Sequence, residues 1–338
     1  MRRIAGIIAV LLTLGLTGFS CSRAVSASAH SASTSSPAAS ASPSASKAPS
    51  TAKPASTAKS PTAAKSAAAT TTAGAKMAAS TTTTKTYTMK VGSLTRSYEV
   101  IAPVKALPKT APVIVSLAGF GATIASEITR DQFTPYAAAG MAEIVYPVGL
   151  GASWNAIGCC GYASAHKVDD LGFMKALVAK LDPGHTRHVY LVGYSNGARL
   201  AYRIACTTPG LFNAYGMVKG GPMADCVVTK PASIIQIASL DDPEVAYKPG
   251  EKGREPLPIT TEMTRLHAAL KCPAPSSVIH PGNMYAWTTW KNCASGNRLA
   301  LAVWKDGKHS FPRPPASDPG AAPVMWAFFT NRSLAPLP

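Results

Sequence analysis

Acidic residues are scarce in this chain: 16 Asp and Glu stand against 33 Lys and Arg in 338 residues, a net charge of +17. Between residues 30 and 86 there is no acidic residue at all, and large apolar side chains are almost missing. A stretch of Ala, Ser, Thr, Pro and Lys with so little to bury cannot offset its ordering entropy, so a disordered linker is expected over 30–86. The apolar run at residues 4–19 follows Arg2 and Arg3 and is too short to span a bilayer comfortably. Residues 1–29 therefore read as a secretory signal peptide and not as an anchor helix. CxxC and HExxH are both absent, which argues against a metal site of the usual spacing. No internal repeat and no nucleic-acid-binding motif is found, so the positive charge alone does not imply a nucleic-acid partner.

What is present near the N-terminus leaves two processing routes. Small residues at 25–29 suit signal peptidase, whereas "LTGFSC" puts Cys21 where a lipoprotein carries its acylated cysteine. Gly18 and Phe19 stand where such a signal has an aliphatic and a small residue, which favours ordinary cleavage and export over lipid anchoring through Cys21. Arg2 and Arg3 hold +2 of the net charge, Arg23 and six lysines of the linker +7, and residues 87–338 the remaining +8. Widely spaced lysines suit a solvated spacer; loose contact with an anionic envelope is the alternative.

The 252 residues from 87 to 338 suffice for one large domain with a buried core. Six cysteines lie there (Cys159, Cys160, Cys206, Cys226, Cys272 and Cys293), an even number that reads as disulfides in an exported domain. A hairpin around "KVGSL" opens the domain. Apolar runs at 112–119, 141–147, 188–194, 214–220, 233–239 and 298–305 then alternate with helical patterns within 127–139 and at 168–181, 198–206, 261–270 and 323–331. Short, doubly apolar strands separated by helices describe an α/β domain whose mostly parallel sheet is covered on both faces.

Within it, Gly193-Tyr194-Ser195-Asn196-Gly197 matches G-x-S-x-G between a strand and a helix, the setting of a nucleophile elbow. A serine nucleophile needs a base, and the base an orienting carboxylate. After the strand at 233–239 comes "LDDPEVAY", offering Asp241 and Asp242; after the strand at 298–305 comes "DGKHSFP", offering His309. His166, His185, His188, His267 and His280 do not follow the last strand. The order Ser, Asp, His is that of α/β-hydrolases.

Four blocks in register carry a closer resemblance: "WNAIGCCGYASAHKVDDLGFMKAL", "GYSNGARLAYRIAC", "LDDPEVAY" and "DGKHSFP". Together they resemble the secreted esterase family that includes polyhydroxybutyrate depolymerases and feruloyl or acetylxylan esterases. The resemblance implies an α/β-hydrolase fold stabilised by disulfides, with Ser195 as nucleophile, His309 as general base and Asp242 as orienting carboxylate, because Asp242 precedes the proline. It implies backbone donors to an oxyanion at Asn196 and Phe120. Asp169 and Asp170 match the family's paired aspartates, and their place at a helix start makes capping their expected role. The chain departs from the family at Ala118, where a histidine is usual, and at Phe311, where a tryptophan is usual. A Cys272–Cys293 bridge would hold Trp287 and Trp290 in a compact excursion near the histidine; the other four cysteines permit three pairings, in which Cys159 or Cys160 could join Cys206 and the other Cys226, and a bond between neighbours is strained.

The expected activity is hydrolysis of a carboxylic ester of an extracellular polymer through an acyl-enzyme, with no cofactor. Trp154, Tyr194, Trp287 and Trp290 are candidates to contact substrate, with packing as the competing role. The competing functions are an envelope acyltransferase using the same residues and a non-catalytic binding protein.

Overall fold

A computed structural model describes residues 81–338 except 223–225, 229, 231 and 255. The signal peptide, Cys21 and the linker up to residue 80 lie outside the described residues. All that is described falls within one unit, Gly74–Pro338.

The first strand, β1 (Thr82–Val91), starts inside the segment expected to be linker. It does so because β2 (Leu94–Pro103) is long enough to pair with it antiparallel along its whole length, Thr82 opposite Pro103. Backbone pairing thus recruits polar residues that bury little; most of β1 is exposed. Next come β3 (Val113–Leu117), α1 (Ile124–Asp131), α2 (Thr134–Ala138), β4 (Glu143–Pro147), α3 (Gly161–Ala165) and α4 (Asp170–Leu181). The second half holds β5 (Val189–Tyr194), α5 (Asn196–Thr207), β6 (Ala214–Val218), β7 (Ile234–Ser239), α6 (Ile259–Ala269), β8 (Ser277–Ile279), β9 (Met284–Trp290), β10 (Leu299–Trp304) and α7 (Ala321–Thr330).

These ten strands form one sheet in the order β1-β2-β4-β3-β5-β6-β7-β10-β9-β8. The six from β4 to β10 run parallel, and antiparallel strands extend both edges. Every residue of β3, β5, β6 and β7 is buried, which is why these segments read as continuous apolar runs. One face packs Phe173, Leu177, Leu200, Ile204 and Leu266 from α4, α5 and α6; the other packs Tyr136, Met325 and Phe329 from α2 and α7.

The helical pattern within 127–139 is two helices. Gln132 takes a left-handed conformation (φ 58°), and the Asp131 carboxylate accepts the Phe133 N–H, so the chain turns before Pro135 opens the second helix. The segment between Cys272 and Cys293 is not a loop excursion: β8 and β9 form a hairpin that adds to β10.

Three disulfides close the domain. Cys272–Cys293 joins the end of α6 to the end of β9 as expected, but the other pairs are Cys206–Cys226 and the neighbours Cys159–Cys160. Helix length explains the difference. Cys159 and Cys160 lie over Arg199 in the first turn of α5, whereas Cys206 sits seven residues on, about 10 Å along the axis. Cys226 returns to that far end, within hydrogen-bond reach of the Tyr202 carbonyl.

Candidate active site

The turn between β5 and α5 is built by close approach. A Cβ on Gly193 would lie 2.3 Å from the Gly197 carbonyl oxygen, and one on Gly197 would lie 2.4 Å from that of Leu117, so the sharp turn admits only glycine at both places. Between them Ser195 is held at φ 52°, ψ −114°, an uncommon conformation for a residue with a side chain. Its N–H donates to the Val218 carbonyl at 2.8 Å, which ties the turn to the end of β6.

Two loops at the same end of the sheet bring the partners. His309, after β10, has Nε2 at 2.9 Å from Ser195 Oγ. Its Nδ1 lies 3.0 and 3.1 Å from the two carboxylate oxygens of Asp242, after β7. Asp242 is buried, and its Oδ1 accepts the N–H groups of Glu244 and Val245 at 2.9 and 3.2 Å. These donors leave the carboxylate in one orientation, facing the imidazole. Asp241 points elsewhere: it accepts the Lys308 N–H at 2.9 Å. The other five histidines named above make no contact with Ser195 among the described residues.

On the opposite side of Ser195 the Asn196 amide opens α5, where a helix leaves its N–H groups without intrahelical acceptors. The Asn196 side chain clamps a neighbouring loop, its Oδ1 accepting from Trp154 N at 2.7 Å and its Nδ2 donating to Trp154 O at 3.1 Å. Trp154 is buried, and its indole Nε1 donates to the Ala118 carbonyl at 2.9 Å. The segment Ala118–Gly119–Phe120 is therefore fixed beside the elbow with no side chain needed at position 118. The Phe120 ring is 59% exposed and lies over Gly161, where a Cβ would sit 2.4 Å from it.

The candidate substrate contacts divide. Tyr194 is buried, donates from its hydroxyl to the His309 carbonyl at 2.6 Å, and carries the Arg130 guanidinium 4.8 Å above its ring. Trp154 packs, as described. Trp287 and Trp290 are not brought to Ser195: Trp287 lies in the core with Met284 and Trp304, and Trp290 pairs with Leu299, at the end of β10 remote from His309. The expectation of an excursion near the histidine fails because the hairpin runs antiparallel along β10. Phe311 is buried in a tilted contact with Tyr194.

The paired aspartates also divide. Asp169 caps α4, accepting the Gly172 N–H at 2.8 Å. Asp170 is wholly buried, ion-paired with Arg96 at 2.8 Å, and accepts the Asn155 N–H at 2.7 Å, so it anchors the Trp154 loop instead of capping.

Among the buried charged groups that went unread in the sequence, two stand beside the site. Glu127, in α1, pairs with Arg130 at 2.5 Å; burial raises its carboxyl to about 7, against the pull of Arg130 and the Gly119 amide. Lys219, just past β6, lies behind Asp242, with Nζ 3.9 Å from Oδ2. A lysine ending an otherwise apolar strand, "AYGMVK", was the signal available for the second. Among the described residues no group of three or more His, Cys, Asp or Glu could hold a metal ion, and no helix is long and apolar enough to cross a membrane.

Strand order, elbow serine, and the acid and imidazole on the loops after the seventh and tenth strands define the α/β-hydrolase fold, and the chain has it. Comparisons with known proteins find the following similarities. A solved structure described as native sOPH is similar with a TM-score of 0.50 and 14% identity, covering 72% of this chain and 85% of that one. The acetyl xylan esterase of Aspergillus awamori gives 0.49 and 13%, covering 72% of this chain and 99% of the other. In sequence, the chain is 30% identical over 187 residues to "Putative esterase NocK" of Nocardia uniformis subsp. tsuyamanensis, a match that covers 49% of this chain and 50% of that protein. The matched region thus spans about half the length of that curated relative. No protein-family model matches.

Proposed function

We propose that the protein is a secreted serine esterase that hydrolyses a carboxylic ester of an extracellular polymer. The observation that carries this reading is the unbroken hydrogen-bond chain from Ser195 Oγ through His309 to Asp242. His309 takes the Ser195 proton as Oγ attacks the ester carbonyl, and Asp242 stabilises the imidazolium that forms. The Asn196 and Phe120 amides receive the oxyanion; the Phe120 N–H has no acceptor among the described residues. His309 then protonates the leaving alcohol, and a water activated by the same imidazole releases the acid.

Four observations support the finer parts of this reading. The basic N-terminal segment with its short apolar run has the order of an export signal, and three disulfides suit an oxidising compartment. Phe120 and Ile157 on loops and Tyr162 in α3 stand exposed beside the oxyanion side, apolar surface suited to a chain-like substrate or to a feruloyl group. The resemblance of four sequence blocks to polyester and polysaccharide esterases points to the same substrate class.

The test is hydrolysis of short-chain nitrophenyl esters, a feruloyl ester and a polyhydroxybutyrate film by the full chain and by Ser195→Ala. Wild type is expected to cleave at least one of them, and the variant to lose roughly 10⁶ in kcat. Equal rates in the two proteins would end the reading.

A further inference from the structure

Lys219 is a buried cation at the base side of the site, and nothing in the proposed acyl transfer uses it. It follows β6 with φ 53°, its own N–H donates to the Ile237 carbonyl at 3.0 Å, and its side chain is fully buried. Burying an ammonium is costly unless it is well partnered. Here Nζ donates to the Ser239 hydroxyl at the end of β7 and to the Lys308 carbonyl beside His309, and it faces Asp242 at 3.9 Å. Ser239 in turn donates to the Asp306 carbonyl at 3.0 Å. One side chain thus joins the ends of β6 and β7 to both flanks of the loop that carries the imidazole.

We propose that Lys219 is a positioning residue for the Asp242–His309 pair: it fixes the His309 loop through the Lys308 carbonyl and sets the basicity of the imidazole by sharing the charge of Asp242. The inference rests on the esterase reading for its consequence in catalysis, but not for its consequence on His309 itself.

The charged groups around the ammonium decide the sign. From the loop after β7 it faces Asp241 and Asp242; from the loop after β10, Asp306, with the Lys308 main chain and the His309 ring beyond; from β5, Tyr194 reaches only the His309 carbonyl. Burial lowers the Lys219 ammonium to about 8, and Asp242, Asp241 and Asp306 oppose that fall. While it is protonated, the cation shares the negative charge of Asp242, so its removal is expected to strengthen the pull of Asp242 on an imidazolium.

The experiment compares full-length wild type with Lys219→Met, a side chain of similar length without the charge. His309 is titrated by NMR through its ring resonances, and kcat and KM are measured against pH on the best ester of the panel. Expected in the variant are an upward shift of the His309 midpoint by about one pH unit, a matching shift of the acid limb of kcat/KM and, because the His309 loop loses its tie at the Lys308 carbonyl, a tenfold to hundredfold loss of kcat at pH 7 with KM within about threefold. A folded variant whose His309 titrates as in wild type overturns the proposal. Should the variant not fold, wild type labelled with carbon-13 at the lysine ε position decides instead. One lysine is expected to titrate near pH 8 with a coincident inflection in the His309 resonances, and its absence is equally fatal. A His309 shift in a protein that cleaves no ester keeps the positioning role and ends the esterase reading; ester cleavage without the shift does the reverse.

Discussion

The two sides of Ser195 are held by opposite means. On the His309 side the reacting groups are side chains, and buried ionic contacts surround them: Asp242 takes two backbone donors, and Lys219 stands behind it. On the Phe120 side the candidate donors are backbone amides, placed by packing and by a clamp between Asn196 and Trp154. Of the buried acids on this side, Glu127 reaches the donor loop through the Gly119 amide, and Asp131 accepts from the Ser116 hydroxyl in β3 at 2.7 Å. The difference follows from what each side must do. A base needs its basicity and orientation set, which charges do over a few ångströms, whereas amide donors need only be kept in place, which packing does. This explains how a chain with Ala118 in place of the usual histidine keeps an ordered loop: the Ala118 carbonyl is the fixed point, tied to Trp154.

The sharpest way to break this comparison is within "LDDP". Asp242→Asn is expected to reduce kcat by about 10⁴ with the fold intact, because the amide presents the wrong partner to Nδ1. Asp241→Asn should change kcat less than about threefold, since the new amide oxygen still accepts the Lys308 N–H. Steady-state rates on a nitrophenyl ester decide it. Comparable losses in the two variants would mean that orientation of the loop, not the charge facing the imidazole, is what the base side supplies.

How far these features could be read from sequence depends on how local their causes are. Ser195 and its glycines were readable because the turn needs close approach within five residues, and Asp242 and His309 because each follows a doubly buried apolar strand. The buried partners were not, because their roles come from distant chain: Arg96 meets Asp170 across 74 residues, and Lys219 meets Lys308 across 89. The β8–β9 hairpin was hidden by Pro273, Pro275, Pro281 and Gly282, which read as loop, and because its strand Ser277–Ile279 is exposed throughout. At five residues, α3 is too short to show a helical period.

The two sides should also pull stability in opposite directions as pH changes. Behind the Phe120 side, burial raises Asp131 from 3.8 to about 8 and Glu127 from 4.5 to about 7; away from that side, Glu262 in α6 rises likewise to about 7. Between the unfolded and folded values the native chain holds protons that the unfolded chain has released. Their stabilising contribution is thus complete below about pH 4 and is lost as pH rises towards 8. Lys219, lowered from 10.5 to about 8, has the reverse sign: from pH 8 to 10.5 the native chain has released a proton that the unfolded chain keeps, so stability recovers. Urea midpoints across pH 4–10 should therefore fall and then level or rise. Asp131→Asn is expected to flatten the falling limb and Lys219→Met the later rise; a wild-type midpoint that climbs from pH 4 to 8 would contradict the buried acids.

The smallest effect sharpens the comparison most finely, because it concerns a covalent bond that spans almost nothing. Cys272–Cys293 closes a loop with a sequence separation of 21 and should contribute about 3 kcal/mol by restricting the unfolded chain. Cys159–Cys160 joins neighbours, and its removal leaves the unfolded ensemble nearly as free as before. Replacing both of its cysteines by serine should change the unfolding free energy by less than about 1 kcal/mol, well below the loss from the same exchange at Cys272 and Cys293. What it should change is the seat of the Phe120 ring, which rests on Gly161 one residue further along. A fall of about threefold in kcat/KM at nearly constant stability would show that packing alone positions the donor loop. A loss of stability as large as at Cys272–Cys293 would mean that this loop supports the core, and that the two sides of Ser195 are less different than their contacts suggest.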